Sequence, residues 1–305
     1  MLGAGEVCGW VTRTSNVSNP EEQRPIHLPE RITGAWLNGL PTEDRIAVLQ
    51  GHFGRRMRAW AGSYVTFFRW ATSSILGPRI RNGSAFFLDL GGRLLLVTAA
   101  HVYHGYVAAR RKYRHIRCDI GNAEFDPERR LVGLGEAVDI ATFDFTYDEL
   151  IRSVGKQAIV VADPASWPPP HPFPGETAFL AGFPGASRLW LTPRSLSFGL
   201  YTVAPRINSA SDRQITCPFE RECWIDPTGH GLPPKGFDLG GISGGPLLIP
   251  MDSDGVWDFY LGGVISEAHT RDYETVVSVP AHFIAWDGTI NPEGSIPVRH
   301  GIPAT

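Results

Sequence analysis

The sequence has little that would point to a membrane, a disulfide framework or a nucleic-acid partner. Its 305 residues include only four cysteines and carry a formal net charge of −3. Arg69 interrupts the only window long enough to span a bilayer. The opening residues MLGAGEVCGW lack the basic and apolar regions of a secretory signal. We therefore expect a cytoplasmic protein with reduced thiols, and neither nucleic acid nor a membrane as its partner.

The scattered cysteines do not form a recognisable metal site. Cys217, Cys223 and His230 could supply three ligands, but their spacing fits no common zinc pattern and a fourth ligand is not obvious. We expect ordinary thiols, no metal and no cofactor. A basic segment at 110–117 surrounds an aromatic residue, but such a segment is more often solvated surface than a nucleic-acid interface.

Glycine and proline are abundant instead, with 34 and 25 residues, and they separate many short apolar runs. This pattern favours an all-β chain with many turns. Hydrophobic residues make up 43% and charged residues 19%, which excludes a disordered chain. The run SAFFLDLGGRLLLVTAAHV predicts a β-hairpin that turns at Gly91 and Gly92.

Residues 1–78 form a predicted N-terminal extension that contains one helix over about 42–66. Thr42 is its expected cap. We expect the helix to pack on the main domain, although three arginines ahead of AWAGSYVTFFRW also fit a helix lying on a membrane surface. Its apolar stripe consists of Ile46, Leu49, Phe53, Met57, Trp60 and Tyr64.

A proline-rich stretch, DPASWPPPHPFPGE, divides the rest of the chain into two halves. Prolines cannot donate to a sheet ladder, so we expect residues 163–174 to be a stiff connector. It separates a first half at 79–162 from a second half at 175–288, and a tail follows at 289–305. The second half contains five strand-like runs: TAFLAGFPG, LSFGLYTVA, GPLLIP, DFYLGGVIS and TVVSVP.

Three short motifs supply the parts of a nucleophilic site. Ser243 lies in GISGGP, His101 ends LLLVTAAH, and Asp139 opens DIATF. A serine hydroxyl becomes a good nucleophile when an imidazole takes its proton, and a carboxylate fixes the tautomer of that imidazole. The backbone N–H groups of Gly241 and Ser243 are suited to hold an oxyanion, since a side chain at Gly241 would hinder the approach.

Other assignments remain open for each of these residues. His104 and His115 lie near His101 but lack the preceding pair of small residues, Ala99 and Ala100. Asp144 or Asp148 could replace Asp139 as the partner of the histidine. Ser243 could also be the remnant of a site that now only binds peptides.

The motifs TAAH, DIA and GxSGGP, in that order, resemble the chymotrypsin-fold serine proteases, in particular the bacterial trypsin-like peptidases without a PDZ domain. The resemblance covers roughly residues 80–288. It implies two Greek-key, six-stranded β-barrels with the site between them. His101 and Asp139 would come from the first barrel and Ser243 from the second.

The same resemblance places the floor of the substrate pocket at Phe237 and Asp238, and its wall at Ser266, Glu267 and Ala268. Enzymes of the family that cut after Arg or Lys have an acid at the first floor position, where this chain has Phe237. We therefore expect cleavage after small or medium uncharged residues. A shift of one residue would instead aim Asp238 into the pocket, where Glu267 could add to the negative potential.

The expected function is that of a serine endopeptidase that works through an acyl-enzyme. The alternatives are a catalytically silent, peptide-binding module of a larger bacterial system, and an esterase-like hydrolase with the same triad. Secreted relatives have an aspartate before the nucleophile that pairs with a freed N-terminus, but this chain has Ile242, so we expect no activating cleavage.

The loop at 208–236 has no strong periodicity. It would be either a lid or docking loop, or an insertion that only covers the barrel. This loop and the N-terminal helix are the two surfaces at which a partner protein would dock. The other expected partner is the protein or peptide substrate.

Overall fold

The computed structural model describes residues 10–11, 26–27, 29, 32–72, 79–153, 155–192, 195–219, 221–223, 233, 236–253, 256–269 and 274–294. Most of this part of the chain belongs to antiparallel sheets. The α-helices in these ranges are all too short or too polar to cross a bilayer.

The N-terminal region carries three helices in place of the single one that the sequence predicts. The helix breaks at Gly51, whose backbone is extended (φ −78°, ψ −164°), because glycine has little helix propensity. Thr42 is the first helical residue and makes no cap; the capping position belongs to Pro41. The elements are β1 (Trp10–Val11), β2 (Ile26–His27), α1 (Gly34–Gly39), α2 (Thr42–Gln50) and α3 (His52–Tyr64).

The apolar stripe of α2 and α3 packs on the body of the protein, as expected for a structural helix. Leu49, Met57 and Tyr64 are buried in a cluster that contains Phe259. The rings of Trp60 and Phe259 have centroids 4.8 Å apart. Arg45 is 1% exposed and donates to the carbonyl oxygen of Ala204 at 2.7 Å, which anchors α2 to the second half of the chain.

The first sheet has eight strands, in the order β7-β6-β3-β4-β5-β9-β8 with β10 parallel to β4. Three helices lie between its strands: α4 (Ala100–Lys112), α5 (Pro127–Arg130) and α6 (Tyr147–Arg152). The strands are β3 (Val65–Thr72), β4 (Arg79–Leu90), β5 (Arg93–Thr98), β6 (Ile116–Ile120), β7 (Ala123–Glu124), β8 (Leu131–Gly135), β9 (Ile140–Asp144) and β10 (Ala158–Val161).

Two features of this sheet bear on the sequence predictions. The hairpin of β4 and β5 is confirmed, with Gly91 and Gly92 in its turn at φ of 63° and 92°. However, β3 lies in the middle of the sheet although we assigned it to the extension, so the sheet begins before the expected boundary at residue 79. The alternating burial of β3 marks it as a strand, but its aromatic residues continue the apolar stripe of the preceding helix.

The second sheet has seven strands, in the order β14-β11-β17-β18-β19-β16-β15. The stretch 163–174, which the structure describes throughout, contains a short 3-10 turn at Pro164–Ser166 and no strand. A separate ribbon pairs β12 with β13. The strands are β11 (Phe179–Gly182), β12 (Arg188–Thr192), β13 (Ser195–Phe198), β14 (Tyr201–Val203), β15 (Ser209–Ala210), β16 (Ile215–Pro218), β17 (Pro246–Ser253), β18 (Val256–His269) and β19 (Thr275–Pro280).

The structure corrects two expectations about strands. The stretch 208–236 is not simply a loop, because β15 and β16 lie within it and β16 pairs with β19. Strands of two and four residues are too short to show a period in the sequence. The sheets have eight and seven strands rather than six each, and no pairing between described residues closes either sheet into a barrel.

Because α2 and α3 pack on the body, truncation of one buried side chain should strongly lower the stability of the protein. Leu49→Ala should lower the free energy of unfolding by about 2–4 kcal/mol, because it leaves a cavity between α2 and the body. The matched control, Arg56→Ala in exposed α3 surface, should change it by less than about 0.5 kcal/mol. Urea unfolding followed by circular dichroism measures both, and equal effects would show that the helices do not pack on the body.

Candidate active site

The position of His101 is set by the end of a buried strand. After β5, Ala99 and Ala100 are buried, and His101 is the second residue of α4. The hydroxyl of Thr98 donates to the carbonyl oxygen of Ser84 at 2.6 Å, which ties this strand end to β4. The imidazole itself is about half exposed, with 52% of its side chain accessible.

Asp139 faces His101 from the start of β9. It is the only non-glycine residue in the described ranges with a positive φ (49°), a conformation that aspartate tolerates better than most residues. Its Oδ2 lies 2.9 Å from Nδ1 of His101, and its Oδ1 accepts the backbone N–H of His101 at 2.9 Å. The hydroxyl of Ser266 donates to Oδ2 at 2.5 Å. The carboxylate is thus held from both halves of the chain.

These contacts change the ionisation of both groups. The hydrogen bond to Asp139 raises the pKa of His101 above its usual value, against the effect of burial, and the charges of Asp139 and Glu267 add to the rise. Burial is the largest influence on the pKa of Asp139 and would raise it. Hydrogen bonds from the His101 ring, from Ser266 and from the His101 N–H outweigh burial, so the pKa lies below its usual value.

Ser243 sits in a tight turn that packs against the first sheet. Its carbonyl oxygen accepts the N–H of Ser84 on β4 at 2.8 Å. The next residue, Gly244, has a φ of 87°, and a Cβ there would lie 2.1 Å from the Ser84 carbonyl oxygen and from the Thr98 hydroxyl. Only glycine permits this approach. The turn is therefore held against β4 and β5 by backbone contacts.

The peptide groups on both sides of Gly241 have fixed orientations. Ile242 N–H donates to the Leu239 carbonyl at 3.0 Å, and Gly241 has a φ of 106°, as in a type II turn. Gly185 N–H donates to the Gly240 carbonyl at 2.6 Å, so the N–H of Gly241 points away from Gly185. Within the described residues, no group accepts the N–H of Gly241 or of Ser243.

One cleft of about 460 Å³ brings most of the predicted residues together. His101, Asp139 and Ser243 all line it, but no hydrogen bond between these described residues joins the Ser243 hydroxyl to His101. The described residues that line it are His101, Glu136, Asp139, Ser243, Ser266, Glu267, Ala268 and His269.

The predicted wall and floor of the substrate pocket behave differently. Ser266, Glu267 and Ala268 line the cleft, whereas Phe237 and Asp238 do not. Phe237 packs against an apolar cluster that also contacts Ala268. Asp238 is exposed and accepts the N–H of Gly240 at 2.8 Å, so its carboxylate is turned onto its own loop.

The described residues contain no group of three or more His, Cys, Asp or Glu side chains that could hold a metal. Cys217 and Cys223 are buried in an apolar cluster, and His230 lies outside the described residues.

The structure adds residues that the sequence analysis missed. Glu136 and His269 line the cleft. Ser84 accepts the Phe183 N–H at 2.8 Å and donates to the Gly241 carbonyl at 2.8 Å, and Asn82 donates to the Phe183 carbonyl at 2.8 Å. The polar run RNGS directly before an apolar run could have indicated that Asn82 and Ser84 have a role. Their partner Phe183 lies about a hundred residues away, so the sequence did not reveal the contact.

Comparison with known proteins gives limited information. No protein-family profile and no curated protein matches the chain. Among solved structures, the Rv3671c protease from M. tuberculosis in its active form is 18% identical, with a TM-score of 0.39, over 75% of this chain and 80% of that one.

A second similar structure concerns aromatic interactions that drive the coupled folding and binding of the intrinsically disordered Sesbania mosaic virus VPg protein. It is 14% identical, with a TM-score of 0.36, over 73% of this chain and 95% of that one. Similarities at these TM-scores do not assign a function to this chain, so we infer its function from the geometry of the cleft.

The contacts of His101 predict the order of effects on its titration. Asp139→Asn should lower the pKa of His101, because it removes both the charge and the acceptor that favour the imidazolium. Glu267→Gln should lower it less, since Glu267 acts only through its charge. NMR titration of the His101 ring proton tests this, with His101→Gln for assignment. An unchanged pKa in Asp139→Asn would contradict the described geometry.

Proposed function

We propose that the protein is a serine endopeptidase of the chymotrypsin type, which hydrolyses peptide bonds through an acyl-enzyme. One observation carries the proposal: a hydrogen-bonded Asp139–His101 pair faces the same cleft as a serine held in a rigid glycine turn. The two sheets, with His101 and Asp139 on one and Ser243 beside the other, agree with this assignment. We infer that they correspond to the two barrels of that fold.

The proposed chemistry gives each group a defined role. Ser243 Oγ attacks the substrate carbonyl carbon while Nε2 of His101 takes the hydroxyl proton. The imidazolium is stabilised by Asp139, whose hydrogen bond to Nδ1 fixes the ring. The C–N bond then breaks as His101 returns the proton to the leaving amine. A water molecule attacks the ester in the same way and releases the acid and the free serine.

The negative oxygen of the tetrahedral intermediate needs donors that are already in place. The N–H groups of Gly241 and Ser243 are the proposed donors, since neither has a partner within the described residues. The fixed peptide between Gly240 and Gly241 supports this role. A Cβ at Gly241 would lie 2.8 Å from Asn82 Nδ2 and 2.9 Å from the Phe183 carbonyl oxygen, so the site requires glycine there.

The lack of a hydrogen bond between the described side chains of Ser243 and His101 is compatible with this chemistry. Catalytic hydrogen bonds are often long or misaligned without substrate and tighten when it binds. The half-exposed imidazole has room to move toward the serine when a substrate excludes water from the cleft. The hydrogen bond between Ser243 and His101 would then form when the substrate binds.

The environment of Ile242 supports activity without cleavage of the chain. Ile242 is 1% exposed and lies in an apolar cluster. Because its side chain has no carboxylate, it cannot form an ion pair with the ammonium group of a newly cut N-terminus. The helices α2 and α3 are packed on the body, so we propose that the N-terminal region remains part of the active enzyme.

The positions of Phe237 and Asp238, which do not line the cleft, support a neutral residue before the scissile bond. Phe237 is packed into the apolar cluster and Asp238 is engaged by its own loop, so neither offers a charge to a substrate cation. Desolvating an unpaired cation is costly. We propose that the bond cut follows a small or medium uncharged residue.

A fluorophosphonate probe tests the proposed function, because only an activated serine reacts with it at a useful rate. The wild-type protein should be labelled at Ser243. Ser243→Ala should abolish labelling, and His101→Ala should slow it about a thousandfold or more. The matched controls, Ser211→Ala and His115→Ala, remove the same side chains outside the cleft and should label like the wild type.

Two results would contradict the proposal. Labelling of another serine would move the nucleophile away from Ser243. A correctly folded wild-type protein without labelling would favour the silent, peptide-binding module over the enzyme.

A further inference from the structure

The cleft carries more negative charge than its proposed chemistry requires. Besides Asp139, its lining includes the carboxylates of Glu136 and Glu267, and the described residues of the lining include no lysine or arginine. The proposed reaction uses neither glutamate. A site that is acidic beyond its catalytic needs attracts a cationic ligand.

The two glutamates come from different halves of the chain and flank one hydrogen bond. Glu136 opens the 3-10 turn that leads into Asp139, and Glu267 follows Ser266 on β18. The bond from Ser266 to Asp139 joins these two segments. The glutamates therefore lie on either side of the junction, with side chains 75% and 62% exposed, and both are accessible from the cleft.

Among the residues that the structure describes, no lysine or arginine pairs with either glutamate. Glu136 lies 3.5 Å from Nε2 of His104, and Glu267 lies 3.0 Å from Nε2 of His269. Both histidines are about half exposed, so these contacts are screened by solvent and weak. A substrate ammonium or guanidinium can replace either imidazole. The charge of Glu267 also contributes to the raised pKa of His101, so its field reaches the site.

An unpaired strand edge gives an extended substrate a place beside these glutamates. The pairing of β17 with β18 ends at Pro246 and Val264, followed by two hydrogen bonds between the Ser243 turn and Ile265. Beyond that point β18 pairs with β19, and no other described strand pairs with its second edge from Ser266 to His269. An extended chain can add to such an edge as a further strand.

We propose that the substrate is a polypeptide with a lysine or arginine within a few residues on the amino-terminal side of the cut, bound by Glu136 and Glu267. This rests on the proposed function, and on the prediction that Ser266, Glu267 and Ala268 form the wall of the pocket for the residue before the scissile bond. The next residues toward the substrate's amino terminus then lie beside the two glutamates. The cation is not the residue at the cut itself, because Phe237 and Asp238 leave that position neutral.

Two matched peptide sets test this proposal. Every peptide has alanine immediately before the cut. At the second, third or fourth position before the cut, one set carries lysine and the other carries the neutral norleucine. Cleavage by the wild-type protein gives the ratio of kcat/KM values, and binding to Ser243→Ala gives the ratio of Kd values without chemistry. At low salt the lysine peptide should be favoured about tenfold at one or more positions, as expected for two partly screened ion pairs.

The variant Glu136→Gln, Glu267→Gln should bring both ratios close to one, and 0.5 M salt should do the same in the wild-type protein. The control Asp148→Asn removes a similar charge in α6, at the other end of β9 from Asp139, and should keep the wild-type ratios. Melting temperatures of the variants separate these effects from misfolding.

The outcomes separate this inference from the proposed function. Cleavage of both peptides with equal kcat/KM and equal Kd values overturns the cation site and leaves the protease standing. A preference for lysine in binding, without any cleavage by the wild-type protein, supports the cation site and contradicts the protease. A preference that survives the double substitution would show that other residues bind the cation.

Discussion

The carboxylate of Asp139 is the point on which the arrangement of the site depends. It accepts two hydrogen bonds from His101 in the first half of the chain and one from Ser266 in the second. The left-handed backbone at Asp139 aims the carboxylate at both. Because one anion joins the two halves, the orientation of the imidazole and the shape of the cleft are set together. Losing this carboxylate would therefore disturb both features.

Ser84 has the corresponding role for the serine turn. Its backbone N–H donates to Ser243, and its backbone carbonyl accepts from Thr98. Its hydroxyl donates to Gly241 and accepts from Phe183. One residue of β4 thus ties β5 to the glycine turn. This explains why a flexible Ser-Gly-Gly segment lies against the core. The glycines permit close approach of two backbones, and the hydrogen bonds then remove the freedom that glycine brings. The Ser243 turn is therefore held rigidly against β4 and β5.

Local patterns predicted much of the fold and the residues that meet at the cleft. The β4–β5 hairpin follows from two apolar runs around Gly91 and Gly92, and the placement of His101, Asp139 and Ser243 follows from motif resemblance. Non-local pairing could not be predicted in the same way. The assignment of β3 to the first sheet depends on partners in β4 and β6, and the cleft that Glu136 lines also includes residues of the second half of the chain.

The central claim is that Ser243 forms a covalent acyl-enzyme, and rapid quenching tests it most directly. The protein is mixed with a p-nitrophenyl ester of acetyl-alanine, quenched in acid within milliseconds to seconds, and analysed by intact and peptide mass spectrometry. The account predicts a burst of p-nitrophenol with an acyl group on the peptide that contains Ser243, and neither in Ser243→Ala. Turnover of the ester without a burst or adduct, or with an equal rate in Ser243→Ala, would contradict it.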